Sequence, residues 1–167
     1  MIQQYDSRLT SIPQVSRAIT TYQAKIGFVP GSVILDYGGG RYDFAIQFAK
    51  NIGCKLVVYD PYWRTSSYNK AAIDVFKKHP DYVVCANVLN VIKENEIVED
   101  VISKIHTLSK AGTIVIFCVF VGNGTGHGKQ TKENSWQRNQ KTDAYLPLIR
   151  RYFPNAIKKY DLIIARK

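Results

Sequence analysis

Ser32-Val33-Ile34-Leu35-Asp36-Tyr37-Gly38-Gly39-Gly40-Arg41-Tyr42-Asp43 is the stretch that decides the fold. A short apolar run stops at an acid and a glycine triplet, so it reads as a first strand running into a sharp turn. Phe44 to Asn51 follows as a helix, with Asp43 as its expected cap, Phe44, Ile46, Phe48 and Ala49 available for packing, and Gly53 closing it. Lys55-Leu-Val-Val-Tyr-Asp60 reads as a second strand, because five residues running into Asp-Pro make no useful helix.

The alternation continues outward from there. Residues 66–78 form an expected helix with Ala71, Ala72, Val75 and Phe76 on one face, and Tyr82 to Ala86 a third strand. Glu94 to Ser109 places Ile97, Val101, Ile105 and Leu108 at helical spacing. Thr113 to Val121 is the most apolar run and reads as a central strand. A structureless polar loop from Gly122 to Asn139 follows, then a short helix from Thr142 to Tyr152. Ala156 to Arg166 is strand-like and breaks at Asp161. Upstream, Ser11 is the expected cap of a helix running from Pro13 to Ile26.

Strands alternating with helices predict an α/β fold: a single doubly wound, mainly parallel Rossmann-like sheet with helices on both faces. The 167 residues suit one domain, 1–167, with an N-terminal helical segment at 1–30 and a basic glycine-rich loop at 122–141. In such sheets ligands bind beyond the C-terminal ends of the strands, so residues at those ends are the candidates. Asp60 lies 20 residues after Gly40, where such a fold places an acid to accept bonds from ribose hydroxyls.

These elements together resemble the class I S-adenosylmethionine (SAM)-dependent methyltransferases. That family carries an acid at the end of the first strand, a D-x-G-x-G-x-G turn, and an acid ending the second strand. Asp36, Gly38, Gly40 and Asp60 match, whereas Tyr42 stands in place of the third glycine. The resemblance covers residues 30–121. It implies SAM as cofactor, with Gly38, Gly39 and Gly40 bringing backbone close to its methionine part. Asp36 would orient the amino group, Asp60 would hold the ribose diol, and Pro61 and Tyr62, with Trp63, would border the adenine. For the two aromatics a lid over the sheet edge is an equal reading. NAD competes as a cofactor, but its G-x-G-x-x-G turn would need glycine where Asp43 stands.

Asn87, after the third strand, corresponds to the segment facing the reactive methyl and is the candidate for cofactor and acceptor contact, and for catalysis. Asn90 is expected to hold the following turn. Only about 20 residues separate Asp60 from the Asp81 segment, enough for one helix. The sheet should therefore lack one edge strand of the full methyltransferase sheet, along with an adenine-binding acid. The whole chain is also similar to short methyltransferase-like proteins of phages, prophages and DNA-modification clusters.

Charge directs attention elsewhere. Lys and Arg number 23 against 13 acids, a net charge of +10. Residues 1–120 hold 13 basic and 10 acidic groups, whereas residues 121–167 hold 10 and 3, so the excess lies in the last quarter. An anionic partner follows, DNA or RNA first, with plain solubility as the alternative. Within the 122–141 loop, Lys129, Lys132 and Arg138 are candidate phosphate ligands. Trp136, or Tyr145 beyond it, is a candidate for stacking on a base, with folding back onto the core as the other reading for Trp136. His127 is a candidate general base, with an exposed loop histidine as its alternative. A phosphate-binding P-loop reading of Gly128-Lys129 fails, because Asn123 and Gln130 replace the required glycine and hydroxyl.

No apolar run approaches the ~20 residues of a membrane span, and no signal-peptide core precedes the domain, so a cytoplasmic protein is expected. Cys54, Cys85 and Cys118 form no metal-like pair, and Cys85 and Cys118, inside apolar runs, read as buried thiols. The expected function is SAM-dependent methylation of a nucleic acid or nucleotide. Asn87-Val-Leu-Asn90 lacks the prolines of the DNA amino-methyltransferase motif, which counts against a standard base methylase. A non-catalytic SAM- or nucleic-acid-binding accessory protein and a small-molecule methyltransferase are the alternatives.

Overall fold

The structure, a computed structural model, describes residues 3–167. The five-residue apolar run Val33–Tyr37 is buried throughout as strand β1. It is followed by α1's successor in the chain, α2 (Phe44–Asn51), while α1 itself (Arg17–Lys25) precedes it. The order then continues as β2 (Lys55–Tyr59), α3 (Ser66–Lys78), β3 (Tyr82–Ala86), α4 (Asn95–Leu108) and β4 (Ile114–Cys118). After β4 come β5 (Lys129–Lys132), β6 (Ser135–Gln137), α5 (Leu146–Arg150), β7 (Ile157–Lys159) and β8 (Leu162–Arg166).

Six strands form one sheet in the order β2-β1-β3-β4-β8-β7. The first four pair in parallel, and β8 and β7 close the far side antiparallel. Alternation along each strand divides the core in two. Ile34, Leu56, Val58, Val84 and Ile116 point to one face and meet α1 and α2. Leu35, Val83, Val115 and Phe117 point to the other and meet α3, α4 and α5. The chain leaves β2, passes over β1 on the second face as α3, and returns as β3 (the right-handed crossover that parallel strands require). The sheet is thus doubly wound and mainly parallel, as expected. Among the described residues no strand lies outside β2, so the expected edge strand is missing.

Four local expectations are corrected. Ser11 does not cap the first helix, which begins at Arg17 after Ser16; Ser11 instead sits against the glycine turn, and a 3-10 turn occupies Arg8–Thr10. Asp43 precedes α2 but makes no side-chain cap bond, because its carboxylate pairs with Arg64 at 2.7 Å. The 122–139 segment is not structureless: β5 and β6 pair as an antiparallel hairpin, with Asn134 left-handed at its turn. The helix expected over 142–152 is a 3-10 turn, Thr142–Tyr145, followed by the one-turn α5, because Pro147 and Pro154 bound it. The break at Asp161 is a tight hairpin in which Tyr160 and Asp161 both take positive φ, 53° and 60°.

The three cysteines are buried and free: Cys85 and Cys118 as read from the sequence, and Cys54 with them. Among the described residues no helix is long and apolar enough to cross a membrane, and no group of His, Cys, Asp and Glu is arranged to hold a metal.

Candidate active site

β1 and β2 end side by side, with Tyr37 level with Tyr59, so their following turns meet. The three glycines between them each have a separate reason. Gly38 has φ +83°, and a Cβ there would run into Val88. A Cβ on Gly39 would lie 2.7 Å from Asp36 Oδ2 and 3.0 Å from Val58. Gly40 has φ +75° and abuts the Ser11 hydroxyl. The triplet therefore packs against neighbours on three sides while turning the chain.

Asp60 joins the two turns. Its Oδ2 accepts the Gly40 amide at 2.9 Å, and its Oδ1 accepts the Tyr62 and Trp63 amides, each at 2.9 Å. Asn69 on α3 holds the Asp60 main chain from both sides, accepting its N–H and donating to its C=O at 2.9 Å. Asp36 is buried beside this arrangement. Burial, and then the nearby Asp60 carboxylate, push its carboxyl up to about 7, with the Arg64 guanidinium opposing. A buried acid poised near neutrality suits a cationic partner, which would restore its charge.

These groups line one cleft of about 340 Å³ at the C-terminal ends of β1 and β3. Asp36, Gly38, Gly39, Gly40, Asp60, Pro61, Tyr62 and Asn87 all line it, so the sequence-derived cofactor residues come together. Asn87 takes a left-handed φ of 60°, a conformation asparagine tolerates, and its N–H bonds the Cys118 carbonyl. Asn90 is buried and donates to Gln137 at 3.0 Å, so its side chain ties the segment to β6 rather than holding the turn that follows it.

The basic segment stands apart from the cleft. His127, Lys129, Lys132, Trp136 and Arg138 do not line it. Arg138 is not a free phosphate ligand: its Nη1 donates to Asn95 at 2.9 Å, its Nη2 to the Lys93 carbonyl at 2.9 Å, and its Nε to the Ile92 carbonyl. Trp136 folds back, stacked on Tyr5 at 5.5 Å with the Lys93 ammonium over its ring. Tyr145 is buried and so unable to stack on a base. His127, Lys129 and Lys132 are exposed.

The polar N-terminal strap is the part of the site that sequence reading missed. Gln3, Ser7, Arg8 and Ser11 also line the cleft, Ser11 against the glycine turn. Tyr62 donates its hydroxyl to Gln3 at 3.0 Å, and Trp63 its indole N–H to the Arg8 carbonyl at 2.9 Å. Ser7 also ties the strap to the hairpin, through the Asn134 carbonyl and the Trp136 amide. No periodicity marks these residues. Only the three aromatics Tyr5, Tyr62 and Trp63, each needing a partner for its polar tip, hinted at a cover.

A glycine turn and two strand-ending acids around one cleft, on a doubly wound sheet, define a nucleoside-cofactor-binding domain. Residues 10–166 match a family described as a methyltransferase domain, and the chain belongs to that family. That description is of an enzyme family, and SAM is the cofactor that the resemblance of the glycine turn implies. The residues fit that group: the glycines leave the backbone bare of Cβ atoms, and two carboxylates border the cleft.

Among curated proteins none matches the chain. Solved structures do. The Burkholderia thailandensis 1,6-didemethyltoxoflavin-N1-methyltransferase, with its namesake compound and S-adenosylhomocysteine (SAH) bound, has 15% identity and a TM-score of 0.63 over 90% of this chain and 76% of its own. Human N-acetylserotonin methyltransferase in complex with SAM has 16% identity and a TM-score of 0.53, over 81% of this chain. The T. thermophilus 16S rRNA N2 G1207 methyltransferase, with SAM and guanosine, has 14% identity and a TM-score of 0.51 over 92% of this chain. The chain spans about half the length of the human and T. thermophilus proteins, 47% and 43%.

Proposed function

We propose that this protein transfers the methyl group of SAM to a phosphate-bearing acceptor, a nucleotide or nucleic acid. The observation that carries the acceptor class is the seating of the hairpin. Its turn and its β6 strand bond directly to Ser7, a cleft-lining residue, so the hairpin that carries the exposed Lys129 and Lys132 is tied to the strap, although neither lysine lines the cleft. Lysines in that place would hold a phosphate while the reacting group enters.

SAM supplies a methyl already activated on a sulfonium, so the chain's task is positioning and exclusion of water. Gly38, Gly39 and Gly40 form the floor for the methionine part, Asp36 takes the amino group, and Asp60 takes the ribose diol. Pro61 and Tyr62 border the adenine, and Asn87 faces the acceptor. The strap roofs the cleft and excludes water. Lys129, Lys132 and the exposed His127 serve acceptor binding, and no general base is needed for an acceptor that loses its proton to solvent.

The roof favours a second reading, a small-molecule acceptor that fits beneath it. Transfer of labelled methyl from SAM to DNA, RNA, nucleoside monophosphates and uncharged amines separates the two. The proposal expects labelled phosphate-bearing product, and at least a several-fold loss of it in a Lys129→Ala, Lys132→Ala double variant. Label on uncharged amines alone would replace the proposal with the small-molecule reading.

A further inference from the structure

Tyr42 stands where the family's turn has a third glycine, yet the turn still meets the cleft. Something must hold the chain there. The backbone of Gly40 is gripped on both sides of its Cα from the turn after β2. Its N–H donates to Asp60 Oδ2 at 2.9 Å, and its C=O accepts from Arg64 Nε at 3.0 Å. Arg64 Nη2 reaches the Tyr42 carbonyl at 3.4 Å and pairs with Asp43 at 2.7 Å. One guanidinium thus spans Gly40, Tyr42 and Asp43, a use of its planar fork that a lysine ammonium cannot copy.

Arg64 is itself fixed. Its side chain is only 13% exposed, its N–H bonds the Asp60 carbonyl, and Asn69 donates to its own carbonyl at 3.3 Å. Tyr68 on α3 lies under the guanidinium at 5.0 Å from the ring centre. Arg64 does not line the cleft, so it has no direct ligand contact to explain its burial.

We propose that Arg64 is a positioning residue of the cofactor site, clamping the Gly40 and Tyr42 carbonyls so that the glycine turn keeps its path with a tyrosine in the third-glycine place. The proposal rests on the cleft being the SAM site. The acid–guanidinium pair holds the two successive peptide groups that flank the Gly40 Cα: Asp60 takes the Gly40 N–H and Arg64 the Gly40 carbonyl. Loss of either grip frees the turn to rotate, and a cofactor that reads backbone at Gly38 to Gly40 then binds a mobile surface.

Calorimetric titration with SAH tests this in wild type, Arg64→Ala, Arg64→Lys and Asp43→Ala, each checked for its unfolding temperature and circular dichroism. Arg64→Ala is expected to lose about tenfold or more in SAH affinity, in line with loss of charge-assisted hydrogen bonds. Arg64→Lys keeps the charge without the fork and should lose most of that affinity. Asp43→Ala removes only the exposed end of the clamp and should stay within about threefold of wild type. With SAM saturating, kcat on any acceptor found should change little while the KM for SAM rises. If Arg64→Ala does not fold, the lysine variant decides the matter. Wild-type affinity in Arg64→Lys overturns the proposal, as does an equal loss in Asp43→Ala. Failure of the wild type itself to bind SAH overturns the SAM reading instead.

Discussion

Asp36 carries an unusual load for one side chain: it is buried, it neighbours a second carboxylate, and it faces the cleft. Its carboxyl is raised from the usual value of about 4 to about 7. The sign follows. In the ligand-free fold the proton is held up to near neutrality, while the unfolded chain has already released it, so this group makes stability fall as pH rises between those values. A bound ammonium reverses the preference and expels the proton. SAH affinity should therefore rise with pH from about 5 to about 7, by at most about tenfold per unit, and then level off. Titrations at several pH values, in buffers of different ionisation enthalpy, check this through the affinity and the proton released. A flat profile with no proton release would mean that Asp36 does not meet the amino group.

At the scale of elements, the hairpin shows what a sequence reveals and what it conceals. β1, the glycine turn, β2, α3 and β3 were legible because apolar runs of strand length stop at acids and glycines, and tertiary contacts agree with those local signals. β5 and β6 were not legible. Lys-Gln-Thr-Lys carries no apolar alternation, and its four residues are exposed on both faces. What pins the hairpin is long-range: Arg138 bonded across to the segment before α4, Gln137 to Asn90, and Ser7 to the turn. Arg138 read as a phosphate ligand because charge in a loop is visible, whereas the carbonyls that consume it are not. Two of its three partners are main-chain groups some 45 residues away, and nothing in their residue types marks them. Truncation of Arg138 would leave the part-buried Ile92 carbonyl without this partner. Arg138→Ala should destabilise the fold by about 1–3 kcal/mol and speed amide exchange in the hairpin. Denaturant unfolding with hydrogen exchange measures both, and an unchanged midpoint would return Arg138 to the surface role first assigned to it.

For the molecule as a whole, the shortened sheet and the uneven charge act at different places. Without a strand outside β2, the cleft borders on Pro61, Tyr62 and the strap instead of a further strand end. The strap was invisible in the sequence for the same reason as the hairpin: it is held by single side chains, not by periodic packing. The basic excess of the last quarter is partly spent within the protein, with Arg151 paired to Glu99 and Lys158 near Asp143. The cations left free include the exposed lysines of β5. Nucleic-acid binding should accordingly weaken with salt, with a shallow slope of about two phosphate contacts, near −1.4 in log–log form for a single strand. Removing Lys129 and Lys132 should flatten that slope. A slope that survives their removal would place the nucleic acid on another face of the protein.

The central claim is that the cleft between the glycine turn and the strap holds SAM through Asp60 and its neighbours. Calorimetric titration of SAH into wild-type protein and into Asp60→Ala, with NAD as the control ligand, tests it most directly. The account predicts micromolar SAH binding to the wild type, none to the variant and none of NAD to either. Absence of SAH binding to the wild type, or equal affinity in Asp60→Ala, would contradict it.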